Sequence, residues 1–194
     1  MVSKPDANGF LDRFITYLNL HRGVKTVTSQ AWATLLKSNI SPVLQQASDH
    51  LKLAASRETL QASFMEGELN RLLDIADLSA ESNAACRDAV STLKVVYQTD
   101  HVNDQCFGKQ QHPSGLVWAG PSLLTGTYTD LLRRRQPEAL IVLCYFAVLL
   151  HRRRSMWCVD CAGRLLIESV TKSLGSYWRP WLDWPNEMIE NISV

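Results

Sequence analysis

The residues with chemistry suited to proton transfer are His21, His151 and Asp160. Each lies in or beside an apolar segment, and burial of an imidazole or carboxyl group shifts its pKa, as catalytic acids and bases require. No GxSxG turn, HExxH pair or phosphate-binding glycine loop accompanies them. The three are therefore catalytic candidates only if the chain is an enzyme, since each alone is more often a structural residue.

Cysteine spacing suggests a second chemistry. Cys158 and Cys161 form a CxxC pair, which could be a redox couple or half of a zinc site. The sequence has no second CxxC and no HxxxH, and it lacks the βαβ pattern of thioredoxin-like proteins. The favoured interpretation is two small thiols packed on one helical face, with no metal site and no cofactor.

The composition indicates one soluble domain over residues 1–194. Hydrophobic residues make up 46% of the chain and charged residues 20%, which is ordinary for a soluble globular protein. The net charge of +1 argues against a protein whose main role is to bind a polyanion. The first residues contain no signal-peptide-like apolar run, and five scattered cysteines are typical of free thiols. These features predict a location in the cytoplasm or nucleus.

The elements that would position these residues are helices. The longest apolar run, Ala139–Leu150, is 12 residues long, whereas a membrane-spanning helix needs about 20. Gln136-Pro137-Glu138 is typical of a helix start, and arginine triplets flank the run on both sides. We expect a buried core helix with solvated arginines at its ends, and no membrane insertion.

The rest of the chain has the helical spacing of apolar residues, and no strand pattern competes with it. The sequence predicts an all-α, single-domain bundle of seven to nine helices, interrupted by an irregular loop over 101–121. The predicted boundaries are a first helix ended by Gly23, a second over Ser29–Lys37, a third over Arg57–Asp77, a fourth capped by Ser79, and a late helix over Trp157–Leu174 ended by Gly175. The predicted core positions of the third helix are Leu60, Phe64, Leu69, Leu72, Leu73 and Ile75.

Tryptophans near the C-terminus form the third notable pattern. Trp178, Trp181 and Trp184 recur at intervals of three residues in YWRPWLDWP. Such a stripe favours a terminal element packed on the core, and the alternative is the wall of a pocket for a flat apolar ligand.

Two longer stretches resemble a known family. The first is LNLHRGVKTVTSQAWATLLKSNISPVL, from Leu18 to Leu44, and the second combines GTYTDLLRRRQPEALIVLCYFAVLLH with WCVDCAG and WRPWLDWP. In this order they resemble the C-terminal regulatory domain of fungal zinc-cluster transcription factors, particularly the sterol uptake control type. The resemblance implies an all-helical domain with an interior apolar pocket for a sterol or similar hydrophobe.

Aromatic and small side chains in these stretches are the ones expected to contact such a ligand. Ala162 stands where the family tends to have a large aromatic residue, and the small side chain would free volume inside the bundle. The ligand-binding candidates are Phe14, Tyr17, Tyr145, Trp157, Ala162 and Trp181.

The sequence departs from the family in lacking its DNA-binding cluster, and three hypotheses for its function remain open. Nothing in this sequence matches the six-cysteine DNA-binding cluster, so no direct DNA binding is expected. The chain could be a binding module for a sterol, terpenoid or polyketide. It could instead be a cyclase or isomerase using His21, His151 or Asp160, or a homodimerising regulator that sequesters full-length factors.

Overall fold

The computed structural model describes residues 7–35, 58–107, 123–156 and 159–191, with isolated positions at 37–39, 41–42, 45, 48–49, 52, 56, 117 and 120. Within these residues the chain is helical and contains no strand, which confirms the all-α prediction. The helices are α1 (Ala7–Leu35), α2 (Leu60–Ile75), α3 (Ala80–Phe107), α4 (Gly126–Arg133), α5 (Pro137–Arg152), α6 (Ala162–Leu174) and α7 (Arg179–Asn191), with a 3-10 turn at Ser176–Trp178.

Helix α5 is the centre of the fold. Pro137 occupies its first turn and Glu138 lies beside the positive end of its dipole, as the sequence predicts. Every residue from Glu138 to His151 is buried except Phe146, which is half-buried. This helix is apolar on all sides because α2, α3, α4, α6 and α7 all pack around it.

Helix α1 is one continuous helix where the sequence predicted two shorter ones, so that prediction is wrong. It runs without interruption through Gly23, where an added Cβ would meet nothing within 4 Å. Glycine inside a helix costs only about 1 kcal/mol relative to alanine. The packing of α1 against α4 and α6, through Leu11, Ile15 and Leu18, outweighs that cost.

Helices α2 and α3 form an antiparallel pair joined by a short link. The Thr59 hydroxyl caps α2 by accepting from the amide of Ala62 at 3.2 Å. The Ser79 hydroxyl caps α3 by accepting from the amide of Ser82 at 3.2 Å, as predicted.

The core face of α2 agrees with the prediction in part, because Leu69, Leu72 and Leu73 are buried as expected whereas Leu60 is 93% exposed. Phe64 is 48% exposed and Ile75 is 72% exposed, although the sequence placed both in the core. The buried face instead follows Ala62, Met65 and Leu69 at helical spacing, and Phe64 and Ile75 fall on the opposite side. The apolar type of a residue therefore did not by itself identify every core position of α2.

Two further boundaries differ from the sequence prediction. The 101–121 loop starts later, because α3 continues to Phe107 through residues whose helix propensity is only a few tenths of a kcal/mol unfavourable. Helix α6 begins at Ala162 rather than Trp157, since Asp160 has a φ of +40° that interrupts helical geometry. Gly175, with a φ of +73°, ends α6 as expected.

Among the described residues, no helix is both long enough and apolar enough to span a bilayer.

Candidate functional site

An apolar cavity of about 20 Å³ lies between α3, α4 and α5. Pockets that bind small molecules usually measure about 300–1,000 Å³, and one water needs roughly 10–15 Å³. This cavity is therefore a packing gap that would have to expand before it could hold a sterol. Its lining residues are Ala89, Thr92, Leu93, Val96, Gly120, Leu124, Tyr128, Val142, Leu143 and Phe146.

Buried tyrosines fix two of the helices around the cavity. The Tyr128 hydroxyl of α4 donates to the carbonyl of Ala139 at 2.9 Å, and the Tyr97 hydroxyl of α3 donates to the carbonyl of Tyr145 at 2.8 Å. Burial raises the pKa of both phenols well above the usual value, so both remain neutral donors. These bonds tie α3 and α4 to the backbone of α5.

Gly120, Leu124 and Phe146 also line the cavity. Gly120 is buried, whereas Leu124 and Phe146 are half-buried. A Cβ at position 120 would lie 3.4 Å from both Phe146 Cε2 and Val96 Cγ2, so the backbone of Gly120 lies close to these two side chains.

The predicted ligand-binding residues lie elsewhere in the fold. Phe14 and Tyr17 are neighbours on α1, with ring centroids 5.7 Å apart. Ala162 is the half-buried first residue of α6, and Trp157 lies outside the described residues. None of these three described residues lines the apolar cavity, so their role in ligand binding remains a prediction.

The other two predicted ligand-binding residues, Tyr145 and Trp181, belong to an aromatic cluster between α2, α5 and α7. Tyr145 stacks on Trp184 with centroids 5.0 Å apart, and Phe64 lies 6.0 Å from the same indole. The guanidinium of Arg71 covers Trp181 at 5.0 Å from the ring centroid. In this region the tryptophan stripe packs onto the body of the domain, and neither Tyr145 nor Trp181 reaches the cavity.

The three catalytic candidates occupy separate places. His21 Nε2 lies 3.2 Å from the Tyr17 hydroxyl on α1. His151 is buried in the last turn of α5, and Asp160 is exposed in the turn before α6. No hydrogen bond or ion pair recorded for the described residues joins any two of them, and their catalytic roles remain hypotheses.

The prediction that both cysteines of the CxxC pair pack on a helical face is wrong for Cys161. Cys161 is exposed and precedes α6, so it is not packed on a helical face as the sequence suggested; Cys158 lies outside the described residues. The described residues contain no group of three or more potential metal ligands.

The sequence of this chain is similar to that of a fungal protein. A protein of Gibberella zeae described as a Zn(2)-C6 fungal-type transcription factor is 28% identical over 177 residues, which is 88% of this chain. The chain resembles part of a fungal zinc-cluster transcription factor. It spans 34%, about a third, of that protein's length. No family model matches the sequence, and no solved structure matches it.

The structure also reveals an ion pair that the sequence did not predict. Arg153, in the arginine triplet expected to be solvated, is 6% exposed. Its Nε and Nη2 donate to Asp100 Oδ1 at 2.9 and 2.6 Å, and the Asp100 side chain is fully buried. Asp100 stands 53 residues before Arg153, so no local pattern could identify the pair.

Proposed function

We propose that this chain is a regulatory-type helical domain that binds a hydrophobic small molecule of the sterol, terpenoid or polyketide class. The observation that carries the proposal is the apolar cavity at the junction of α3, α4 and α5. The similarity to a zinc-cluster transcription factor supports a regulatory role and a location in the nucleus or cytoplasm. By resemblance, the domain would correspond to the C-terminal regulatory region of the sterol uptake control type.

The ligand would enter by expanding a gap that already exists. Side chains facing a void lack contacts on one side, so a ligand that fills it restores dispersion contacts and removes its own apolar surface from water. In this proposal the cavity expands at Gly120 and Leu124, two of the residues that line it. A ligand that binds this opened arrangement more tightly would shift the domain toward it and change the surface offered to a partner.

The lining also has the polarity expected for a sterol or terpenoid alcohol. Among the residues around the cavity, only Thr92 and Tyr128 carry a hydroxyl group. The Tyr128 hydroxyl already donates to the Ala139 carbonyl, whereas Thr92 lies half-buried on α3. A ligand with a single hydroxyl would pair it with Thr92 and bury its apolar rings against α5.

The test is a titration with dehydroergosterol, a fluorescent sterol, followed by energy transfer from tryptophan. Ala89→Leu places a larger side chain in the cavity, while Ala84→Leu makes the same change at an exposed position of the same helix. We expect Ala89→Leu to weaken binding at least about tenfold and Ala84→Leu to leave it within about twofold.

Equal affinity in the two alanine variants would contradict the cavity as the binding site. Thr92→Val serves as a second variant if Ala89→Leu does not fold, because it removes the hydroxyl while nearly keeping the shape. Mass spectrometry of the recovered sterol completes the test. A sterol returned unchanged supports binding, and an isomeric product that disappears in His151→Ala would show catalysis instead.

A further inference from the structure

Helix α2 carries a row of exposed residues on the side opposite its core face. The row consists of Leu60, Phe64, Gly67, Arg71 and Ile75, which form the α2 stripe. They recur every three or four residues, so they line up along one side of the helix. Leu60, Phe64 and Ile75 are 93%, 48% and 72% exposed, so the stripe presents large apolar side chains to its surroundings.

The composition of the α2 stripe is that of an interaction surface. Single exposed apolar residues are common on proteins, whereas contiguous apolar patches mark places where another molecule binds. The stripe continues onto α7, because the ring of Trp184 lies 6.0 Å from that of Phe64 between centroids. Aromatic residues and arginine, both present here, are enriched at protein–protein interfaces.

The order of residues along the α2 stripe is symmetric about its centre. Leu60 and Ile75 stand at its two ends, and Phe64 and Arg71 lie inside them at equal distances from a midpoint next to Gly67. If two copies of α2 pack antiparallel about a two-fold axis at that midpoint, Leu60 of each copy faces Ile75 of the other. Phe64 of each copy then faces Arg71 of the other. The stripe is therefore self-complementary, as a two-fold interface requires.

The facing pairs in this arrangement are chemically matched. Leu60 and Ile75 would remove each other's aliphatic surface from water. The guanidinium of Arg71 lies 5.0 Å from the ring centroid of Trp181 in its own chain, and the exposed side chain can also stack on Phe64 of the other copy. Gly67, where an added Cβ would meet nothing within 4 Å, has no side chain to hold the two helices apart.

We propose that two copies of this chain associate through the α2 stripe, with their α2 helices antiparallel about a two-fold axis beside Gly67. At 1.5 Å per residue the stripe extends for about 22 Å along the helix, so the interface is small and the dimer is reversible. The proposal is independent of hydrophobic ligand binding at the α3–α5 cavity.

Sedimentation equilibrium of the full chain, loaded from about 1 μM to about 1 mM, measures the association. We expect a monomer–dimer equilibrium that Leu60→Glu weakens at least about tenfold, because the new carboxylate faces the apolar Ile75 of the other copy. Leu20→Glu is the matched control, since Leu20 is 70% exposed on α1 and lies outside the stripe. It should leave the dissociation constant within about twofold.

Two outcomes of this experiment would overturn the proposal. One is a chain that stays monomeric at every concentration. The other is an equal loss of association in Leu60→Glu and Leu20→Glu.

A mixture of two variants tests the antiparallel arrangement. Ile75→Lys alone should weaken association as Leu60→Glu does. In a mixed dimer of the two variants the new carboxylate faces the new ammonium group, and the second contact between positions 60 and 75 is unaltered. Mixing should therefore restore association at least about tenfold over either variant alone. No gain on mixing would contradict the arrangement, since a parallel pair places position 60 against position 60.

Photo-crosslinking distinguishes a second copy from other occupants of the stripe. Phe64→benzoylphenylalanine is activated in an equal mixture of ¹⁴N- and ¹⁵N-labelled chains. Because position 64 faces α2 of the other copy, crosslinks should join the two isotopic forms and map to residues 68–75. Crosslinks found only within single chains would mean that the chain covers its own stripe, which would also overturn the proposal.

Discussion

At the scale of single residues, Gly163 sets how closely α5 and α6 approach. An alanine there would place Cβ 2.4 Å from the His151 nitrogen, and backbone atoms cannot yield as a flexible side chain can. We expect Gly163→Ala to lower the free energy of unfolding by about 3 kcal/mol, because the two helices must separate. Urea unfolding followed by circular dichroism measures this change.

The control is Gly67→Ala on α2, where an added Cβ meets nothing within 4 Å. There the substitution should stabilise the helix by up to about 1 kcal/mol. If Gly163→Ala unfolded at the same urea concentration as the unaltered chain, the close approach of α5 and α6 would be refuted.

His151 makes stability depend on pH. Its pKa in the folded chain lies below the ordinary value of 6.5, so below about pH 6.5 the unfolded chain takes up a proton that the folded chain resists. Stability is therefore unaffected by this group above pH 6.5 and falls as the pH drops below it. The urea midpoint, measured from pH 7.5 to 5, should decline less steeply in His151→Gln. Parallel profiles for the two chains would contradict this prediction.

At the scale of helices, the buried Asp100–Arg153 pair links α3 to the end of α5. Arg153→Met removes two hydrogen bonds to Asp100 Oδ1, whereas the Arg152 guanidinium lies farther away, 3.9 Å from Asp100 Oδ2. We expect a loss of about 3 kcal/mol, since removing one partner of a buried ion pair is costly. Denaturant unfolding of single and double variants tests this, with Asp100→Leu combined with Arg153→Met recovering much of the loss.

An exposed pair gives the matched comparison. Arg133 and Asp130 on α4 form an ion pair at 2.9 Å, with side chains 58% and 54% exposed. Arg133→Met should cost less than about 1 kcal/mol. Similar losses of unfolding free energy in Arg133→Met and Arg153→Met would show that burial does not set how much the Asp100–Arg153 pair contributes to stability.

Helices were predictable where the information is local. The unbroken apolar run of α5, its Pro137 start and the Ser79 cap each depend on a few adjacent residues. The continuity of α1 through Gly23 was not predictable, because packing against other helices overrides a small local preference. Phe64 was predicted as a core position of α2, but it is 48% exposed, and no local pattern could predict its contact with Trp184 on α7, far along the chain.

The candidate site was less predictable than the fold. Aromatic and titratable residues are conspicuous in a sequence, but the structure places Tyr17 on α1 and both Tyr145 and Trp181 in the aromatic cluster between α2, α5 and α7, away from the cavity. The cavity is lined instead by residues such as Leu93 and Val96, which look like any other core positions. A void forms where side chains from several helices leave space unfilled. No local pattern in a single sequence indicates where this happens.

At the scale of the whole molecule, the domain is a helical shell around α5 with its apolar gap beside α3 and α4. A ligand that binds only the folded chain should stabilise all of it. At a free ligand concentration of 100 times Kd, the gain is about 2.7 kcal/mol. Thermal unfolding with dehydroergosterol should show this gain in Ala84→Leu, and about 1.4 kcal/mol or less in Ala89→Leu if that variant binds at least about tenfold more weakly.

The most direct measurement is photo-crosslinking with a diazirine-bearing sterol, followed by peptide mapping. The cavity account predicts labels within residues 89–96, 124–128 and 142–146, which competing unlabelled sterol removes. Labels at Phe14, Tyr17 or Trp181, with none in those three segments, would contradict it and place the ligand among the aromatic residues instead.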